Sequence, residues 1–173
     1  DGPAGGLIAF HVDRTRHDRT LFAATDRGVW RSDDSGVTWT EQTRGLPWAE
    51  IQACAGGSNP ATGTVILYCA IRSKTVDGSF RGGIYRSRDR GETWQPAMNA
   101  GLNMETRAAD AYAYGPIAQY NGLLTSDAQP LTVYALNTST GFAPPHGDTV
   151  YRSDDAGESW RATYFQDPRF PQF

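Results

Sequence analysis

The sequence predicts an all-β protein made of three repeats of a four-stranded antiparallel unit. The first observation is an octapeptide of the form S-x-D-x-G-x-[TS]-W, which occurs at Ser32–Trp39, Ser87–Trp94 and Ser153–Trp160. The second is that an aromatic residue and an arginine precede every copy, as Trp30 and Arg31 precede the first. The third is the abundance of glycine (19) and proline (10), which suits short strands joined by tight turns. Self-similarity at spacings of 55 and 66 residues indicates an array of like units.

Each unit begins with two apolar segments that we predict as its first and second strands. Both are rich in β-branched and aromatic residues, and polar segments such as Asp13–Arg19 and Gly56–Gly63 separate them. The first strands are predicted at Leu7–Val12, Ile51–Ala55 and Pro116–Tyr120. The second strands are predicted at Thr20–Thr25, Val65–Ile71 and Thr132–Asn137.

The third strand of each unit contains the aromatic–arginine step and leads into the octapeptide, which we predict as a hairpin turn. Its aspartate is expected to accept backbone N–H groups, its glycine to supply a positive φ, and its tryptophan to pack back over the turn. The predicted turn residues are Ser32, Asp34, Gly36, Trp39, Ser87, Asp89, Gly91, Trp94, Ser153, Asp155, Gly157 and Trp160, completed by the hydroxyls of Thr38, Thr93 and Ser159. These aspartates are therefore expected to be structural and not catalytic.

A short fourth strand follows each tryptophan. These strands are predicted at Trp39–Gln42, Trp94–Ala97 and Trp160–Tyr164. Only Asn103–Ala113 has a composition that would allow a helical turn or two. Strand, loop, strand, loop, strand, octapeptide turn and strand make a meander, and radial arrays of such four-stranded sheets are β-propeller blades.

The octapeptides resemble Asp boxes, also called bacterial neuraminidase repeats. Asp boxes occur in sialidases, xyloglucanases, sortilin-type receptors and photosystem II assembly factors. The resemblance covers nearly the whole chain, since the strands around the boxes also fit, and it implies β-propeller blades. It does not imply one activity, because these families share the box and do different things.

The repeats divide the chain into one propeller segment of three blades. We expect blade 1 at about 1–45, blade 2 at about 46–100 and blade 3 at about 114–165, with a linker at 101–113 and a tail at 166–173. Propellers close with about four to eight blades, so three are too few. The chain is therefore expected to be part of a larger propeller, with the remaining blades or partner proteins covering its open flanks.

Charge and motif content exclude several classes of partner. A formal net charge of −3 argues against nucleic-acid binding, and no apolar run reaches the roughly 20 residues of a transmembrane helix. No phosphate loop or zinc spacing is present, and the three histidines His11, His17 and His146 match no ligand pattern. We therefore expect no cofactor and no metal. His11, on a predicted strand, is expected to be a core histidine with one nitrogen satisfied.

Cys54 and Cys69 are the only cysteines. On neighbouring strands of one hairpin they are expected to be offset diagonally, about 7–8 Å apart at Cα, which exceeds the usual limit of roughly 7 Å for a disulfide. Two buried free thiols are the favoured prediction, with a disulfide as the alternative.

The binding surface is expected on the face opposite the octapeptide turns, where the loops after the second strands and the linkers between blades lie. Three segments there are much longer than Asp26–Arg27, their counterpart in blade 1: Arg72–Gly82, Thr138–Asp148 and the linker Pro96–Ala113. Long loops on a rigid scaffold commonly bind ligands. The candidate binding residues are Trp48, Lys74, Phe80, Arg81, Arg107, Phe142 and His146.

No catalytic group stands out. Glycosidases need two carboxylates about 5 to 10 Å apart, and nothing selects a pair among Glu50, Asp77, Glu105, Asp110 and Asp148. The amino-terminal arginine–isoleucine–proline motif of sialidases is missing, and Arg107 with Tyr112 and Tyr114 is only a weak substitute for their arginine and tyrosine sets.

Three functions remain open. The favoured one is a non-catalytic binding or structural propeller segment outside the cytoplasm, secreted, periplasmic or on the cell surface, that contacts proteins through its long loops. The second is a piece of a glycan-processing glycoside hydrolase similar to xyloglucanases or sialidases. The third is a propeller that assists assembly of a membrane protein complex.

Overall fold

The chain folds into three four-stranded antiparallel sheets. The computed structural model describes residues 2–16, 19–98, 100–102, 119–137 and 149–163. Blade 1 contains β1 (Leu7–Val12), β2 (Leu21–Thr25), β3 (Gly28–Ser32) and β4 (Thr40–Glu41). Blade 2 contains β5 (Ile51–Asn59), β6 (Thr64–Val76), β7 (Ser79–Ser87) and β8 (Gln95–Pro96), and blade 3 contains β9 (Tyr120–Thr125), β10 (Val133–Asn137), β11 (Thr149–Ser153) and β12 (Arg161–Thr163).

Strand order within every sheet follows the chain, so each sheet is the predicted meander. All the strand pairs are antiparallel. The described residues contain no helix, and hence none that is long and apolar enough to cross a membrane. The prediction of an all-β chain of propeller blades is confirmed.

The hydrophobic core lies between the blades. One cluster joins blades 1 and 2 through Phe22, Leu67, Tyr85 and Trp94, together with smaller side chains. A second cluster joins blades 2 and 3 and includes Tyr68, Ile84, Tyr120, Val133 and Trp160. Because successive side chains of a strand point to opposite faces, each blade presents one apolar row to the blade before it and one to the blade after it. Face-to-face packing of this kind buries the apolar side chains that no single blade can bury alone.

The three octapeptides form one repeated turn, which we call the box turn. In the third, the Ser153 hydroxyl donates to Asp155 Oδ1 at 2.7 Å, and Gly157 N donates to Ser153 Oγ at 2.7 Å. Ser159 N donates to Asp155 Oδ1 at 2.9 Å and its hydroxyl donates to Oδ2 at 2.5 Å. The same bonds recur in the other two boxes. The aspartate therefore holds the ends of the turn together.

Two successive residues of each box turn have a left-handed backbone. The glycines Gly36, Gly91 and Gly157 have φ of 93°, 87° and 86°. The residues just before them, Ser35, Arg90 and Ala156, have φ of 60°, 59° and 61°, although none is a glycine. Non-glycine residues adopt this conformation only at an energetic cost, which the hydrogen bonds of the turn offset.

The box tryptophans join neighbouring blades. Trp94 Nε1 donates to Gln42 O at 2.8 Å, and Trp160 Nε1 donates to Ala97 O at 2.8 Å. Each acceptor belongs to the residue directly after the fourth strand of the preceding blade. Trp39, in the first blade, instead donates to Gly36 O of its own turn at 3.0 Å. Sequence analysis predicted packing over the turn, but the bond between blades emerges only from the tertiary arrangement.

The box carboxylates should make the fold sensitive to acid. Partial burial alone would raise the pKa of Asp155. Hydrogen bonds from the hydroxyl and the backbone N–H of Ser159 outweigh this effect and lower the pKa from the usual 3.8 to about 2. The Thr38 hydroxyl, with its N–H, likewise lowers the pKa of Asp34 to about 2. A carboxyl group whose pKa is lower in the folded than in the unfolded protein stabilises the fold. This stabilisation is complete at a pH above the pKa of the unfolded state and is lost as the pH falls through the pKa of the folded state. We expect the melting temperature to fall steeply between about pH 4 and pH 2, and part of that slope to disappear in Asp155→Asn. An unchanged slope in the variant would contradict this.

Polar side chains connect the blades on the face that carries the box turns. Asp13, fully buried, accepts a hydrogen bond of 2.8 Å from Arg90 Nε of the second box. Ser58 Oγ lies 3.0 Å from His11 Nε2, and Ser58 N donates to Asp127 Oδ1 at 2.9 Å. Burial lowers the pKa of His11. Since Ser58 is itself fully buried, this serine and histidine join blades 1, 2 and 3 and offer no accessible nucleophile.

Three strand predictions need correction. Gly56–Asn59, predicted as part of a loop, continues β5. In blade 3 the first strand extends over Tyr120–Thr125, beyond the predicted Pro116–Tyr120, most of which lies outside the described residues. Arg72–Gly82, predicted as a loop, is mostly strand, because β6 and β7 extend to a two-residue turn at Asp77 and Gly78. Both turn residues have positive φ, 49° and 72°, as the Asp-Gly pair of a tight hairpin favours.

Cys54 and Cys69 form a disulfide, so the prediction of two free thiols is wrong. The two residues are directly opposite each other in the β5–β6 ladder, with their Cα atoms 4.2 Å apart. From Ala53 to Asn59 the residues of β5 pair with β6 without interruption, and the register shifts only between Ile51 and Ala53. The diagonal offset was wrong because pairing of β5 and β6 extends to Asn59 and Thr64, in the register that places Cys54 directly opposite Cys69.

Candidate functional site

The described residues form a candidate binding surface around Trp48, on the face opposite the box turns. Trp48 lies in the linker between β4 and β5, and Glu50 directly precedes β5. Arg72 and Lys74 lie on the part of β6 that extends beyond the blade. We refer to these four residues, Trp48, Glu50, Arg72 and Lys74, as the Trp48 surface.

The indole of Trp48 is fixed by contacts on two sides. Its Nε1 donates to Arg72 O at 2.9 Å, and its ring packs against the core cluster of blades 1 and 2. Lys74 Nζ lies 5.0 Å from the ring centroid, within the range of a cation–π interaction. The ring remains half-buried, so part of it faces solvent.

Lys74, which lies beside the ring, belongs to a group of charges of both signs. Glu50 Oε1 binds Lys74 Nζ, and Glu50 Oε2 lies 3.9 Å from Arg72 Nε. Glu50 and Arg72 are exposed and Lys74 is partly exposed. Exposed ion pairs of this kind contribute at most about 1 kcal/mol to stability. Their carboxylate and N–H groups are therefore available to exchange partners with a polar ligand at small cost.

A hairpin arm stands beside this surface. We define the arm as Arg72–Gly82, with Phe80 opposite Thr75 and Arg81 opposite Lys74. A register shift between Ile71 and Lys74 marks its base. Gly82, with φ of 103°, is required there because a Cβ atom would lie 2.5 Å from Arg72 O. The Asp-Gly pair in the sequence was the signal from which this arm could have been predicted.

Blade 3 holds the base of the arm. Ser73 N donates to Gln119 Oε1 at 3.0 Å, and Gln119 Nε2 donates to Ser73 O at 3.0 Å. This pair of bonds joins the edge of the arm to the residue just before β9. The base of the arm is thus part of blade 2 and is bonded to blade 3 through the Gln119 side chain.

The structure brings together part of the predicted binding set. Trp48 and Lys74 are in contact, and Phe80 and Arg81 are on the adjoining arm. The other predicted binding residues, Arg107, Phe142 and His146, lie outside the described residues. Of the candidate carboxylates, Glu50 is in the Trp48 surface and Asp77 is at the tip of the arm. The remaining candidates Glu105, Asp110 and Asp148, with Tyr112 and Tyr114, also lie outside the described part of the chain.

The residues that link the blades were not predicted from the sequence. Arg31 contacts Glu92, Arg86 contacts Glu158, and Asp13 contacts Arg90. The recurrence of an arginine before every box was visible in the sequence, but its partner lies 61 or 72 residues away. Only the stacking of the blades identifies that partner.

Comparison with known proteins agrees with this architecture. The model of the BNR/Asp-box repeat family matches residues 85–96, which include the whole second box turn. A xyloglucanase from a Paenibacillus species is 29% identical over 141 residues, which are 69% of this chain and 13% of that protein. The chain therefore spans only a small part of the length of this relative.

Solved structures show the same fold. The GH74 xyloglucanase of Xanthomonas campestris matches 92% of this chain with a TM-score of 0.59 at 16% identity, using 22% of its own chain. The GH74 enzyme of Niastella koreensis matches 91% with a TM-score of 0.60 at 17% identity, again over 22% of its chain. Three box turns on three stacked four-stranded sheets, and these likenesses, show that the chain carries Asp-box repeats and has the fold of β-propeller blades.

Proposed function

We propose that this chain is a three-blade part of a glycan-processing propeller and that it binds glycan at the Trp48 surface. The observation that carries the proposal is the indole of Trp48, fixed through Arg72 O and flanked by Lys74 and Glu50. The similarity to a xyloglucanase over 69% of the chain supports a glycan as the ligand. The role proposed for this surface is binding and not bond cleavage.

The chemistry of the surface suits a sugar. The π-face of an indole is electron-rich and attracts the weakly positive C–H groups of a pyranose, while apolar contact with the ring excludes water. Hydroxyl groups around the sugar can donate to Glu50 and accept from Lys74 and Arg72. An uncharged saccharide would thus find an apolar ring and hydrogen-bonding partners of both kinds.

Its position also favours an extended ligand. The arm adjoins Trp48 and adds Arg81 opposite Lys74, while Phe80, the preceding residue of the strand, lies on the other face of the arm. Contacts between Ser73 and Gln119 keep this face continuous from blade 2 to blade 3. A chain of several sugar units could contact both blades, which a monosaccharide could not.

The disulfide supports a location outside the cytoplasm. Disulfides persist in oxidising compartments and are rare where thiol reductants are abundant. We therefore infer that the chain folds as a secreted, periplasmic or surface protein. The alternatives of a protein-binding segment and of an assembly factor remain predictions, without a described contact that favours either over glycan binding.

Titration calorimetry with xyloglucan oligosaccharides tests the proposal. We expect the full chain to bind, and Trp48→Ala to bind about tenfold or more weakly, since a central aromatic anchor commonly supplies at least about 1–2 kcal/mol. Trp39→Ala is the matched control, because Trp39 is also a half-buried tryptophan but belongs to a box turn on the opposite face. Circular dichroism should show both variants folded. Absence of binding by the full chain, or equal binding by Trp48→Ala, would contradict the proposal.

A further inference from the structure

The arginine before each box turn reaches the next blade. In blade 1, Arg31 binds Asp33 of its own blade through Nε at 3.0 Å and Nη2 at 2.9 Å. Its Nη1 lies 3.4 Å from Glu92 Oε1 in blade 2. The Arg31 side chain is 11% exposed, so this pair lies within the contact between the blades.

The junction between blades 2 and 3 repeats the contact. Arg86 Nη1 donates to Ala156 O at 2.6 Å, and Nη2 binds the Glu158 carboxylate. Only 8% of the Arg86 side chain is exposed. Glu92 and Glu158 are both the sixth residue of a box. Each observed junction therefore pairs an arginine of one blade with a carboxylate at the sixth box position of the next.

Blade 3 presents the same arginine without a following blade in the described structure. Arg152 binds Asp154 through Nε at 2.8 Å and Nη2 at 2.7 Å, as Arg31 binds Asp33. Its guanidinium lies 5.5 Å from the centroid of the Tyr134 ring. Nη1, the atom that contacts Glu92 in Arg31, takes no part in the two bonds to Asp154, although the Arg152 guanidinium also interacts with the Tyr134 side chain.

The row of side chains around Arg152 matches the buried rows of the other blades. Tyr134 pairs with Leu124 and with Arg152 across the sheet. The equivalent tyrosine and arginine of blade 2, Tyr68 and Arg86, are buried against blade 3. In contrast, Leu124 is 66% exposed. We call Leu124, Tyr134 and Arg152 the outer row of blade 3.

Blade 1 lacks the carboxylate that an arginine of a preceding blade would need. The sixth residue of its box is Val37, which is 77% exposed. Two copies of this chain would together supply six blades, within the range of about four to eight that propellers use. Pairing of copies head to tail would however place Arg152 against Val37. A second copy is thus a poor partner on charge grounds.

We propose that the outer row of blade 3 docks a further Asp-box blade of the parent polypeptide, one that carries Asp or Glu at its sixth box position. Arg152 supplies the charge that this carboxylate binds, and Leu124 and Tyr134 supply the apolar contact. Val37 leaves blade 1 without the matching charge, so the surface selects the following blade over a second copy. Two junctions of the same chemistry and the charge complementarity at Arg152 support this docking, which does not depend on glycan binding.

A carboxylate introduced at position 37 tests whether Arg152 docks a box with an acidic sixth residue. The test uses self-association of the full chain, in which one copy binds another. In Val37→Glu the box of blade 1 gains the carboxylate, so Arg152 of one copy can bind the introduced side chain of another. We expect sedimentation velocity to show self-association about tenfold or more tighter than in Val37→Gln, the uncharged control of similar size. High salt should reduce the difference. Because Val37 is largely exposed, neither substitution removes a core contact.

A mixing experiment identifies the arginine. The double variant Val37→Glu/Arg152→Met should associate no better than Val37→Gln alone, yet it should form a 1:1 complex with the wild-type chain, which retains Arg152. Arg152→Lys, which keeps the charge but not the forked donor set, should give intermediate association with Val37→Glu. The proposal is overturned if Val37→Glu associates no more than Val37→Gln, or if its association is unchanged by Arg152→Met.

Discussion

Replacement of Gly45 by alanine is expected to lower the free energy of unfolding by about 2–5 kcal/mol. Gly45 follows the fourth strand of blade 1, with φ of 99°, and a Cβ atom there would lie 2.2 Å from Trp94 O. The left-handed backbone costs an alanine about 1–2 kcal/mol, and the overlap with backbone atoms adds about 1–3 kcal/mol. The junction cannot relax freely, because Trp94 N also donates to Arg44 O at 2.9 Å.

Gly63→Ala separates the two contributions. Gly63 also has a positive φ, 71°, but no atom lies within 4 Å of the position of its Cβ. The control should therefore lose only about 1–2 kcal/mol, the cost of the left-handed backbone. Urea unfolding of the two variants and the wild-type chain measures the difference. Equal losses in Gly45→Ala and Gly63→Ala would contradict the close approach of the blades at Gly45.

The same close approach recurs at the second junction. Gly101 has φ of 81°, and a Cβ atom there would lie 2.0 Å from Trp160 O. Trp160 N donates to Ala100 O at 2.9 Å, as Trp94 N donates to Arg44 O. The sequences Gly45-Leu46 and Gly101-Leu102 are thus part of the repeat, at the point where one blade ends and the next blade's tryptophan docks.

Most of the fold could be predicted because its determinants are local. The box turn is specified by its own serine, aspartate and glycine, whose hydrogen bonds span at most four residues. The β-branched segments before it define the inner strands of the blades. Features that depend on local hydrogen bonding and on the alternation of side chains could therefore be predicted from the sequence.

The error at Gly56 and Gly57 comes from contacts between blades. The sequence predicts Gly56 and Gly57 in a loop, yet both residues belong to β5. A Cβ atom on Gly56 would lie 2.4 Å from the His11 ring, and one on Gly57 would lie 2.7 Å from Ser126 O. Glycine in a strand can mark the close approach of another chain segment, which a single sequence does not distinguish from a turn.

The candidate site was predictable only as a region. The length of the segments on one face predicted a region that includes Trp48 and Lys74, and the structure places Lys74 Nζ 5.0 Å from the centroid of the Trp48 ring. Segment length did not predict that Arg72–Gly82 is a hairpin arm, nor that Glu50 pairs with Lys74 and Arg72. These contacts join residues more than 20 positions apart and depend on the register of β5 against β6.

Loss of the disulfide is expected to lower the free energy of unfolding by about 3 kcal/mol. Cys54 and Cys69 are 15 residues apart, and closing a loop of this length restricts the unfolded chain by roughly that amount. The effect belongs largely to the unfolded state, because the β5–β6 ladder continues on both sides of the bond. Blades 1 and 2 should keep their contact in the reduced protein, at a lower unfolding midpoint.

Two measurements check this expectation together. Urea unfolding of the wild-type chain with and without dithiothreitol should show the lower midpoint on reduction, and Cys54→Ala/Cys69→Ala should resemble the reduced protein. Added reductant should leave the double variant unchanged, which excludes a general effect of dithiothreitol. Because Cys69 is buried in the core between blades 1 and 2, the variant also loses two sulfur atoms from that contact and should be slightly less stable than the reduced wild type. A wild-type midpoint that does not respond to complete reduction would show that the cross-link contributes no stability.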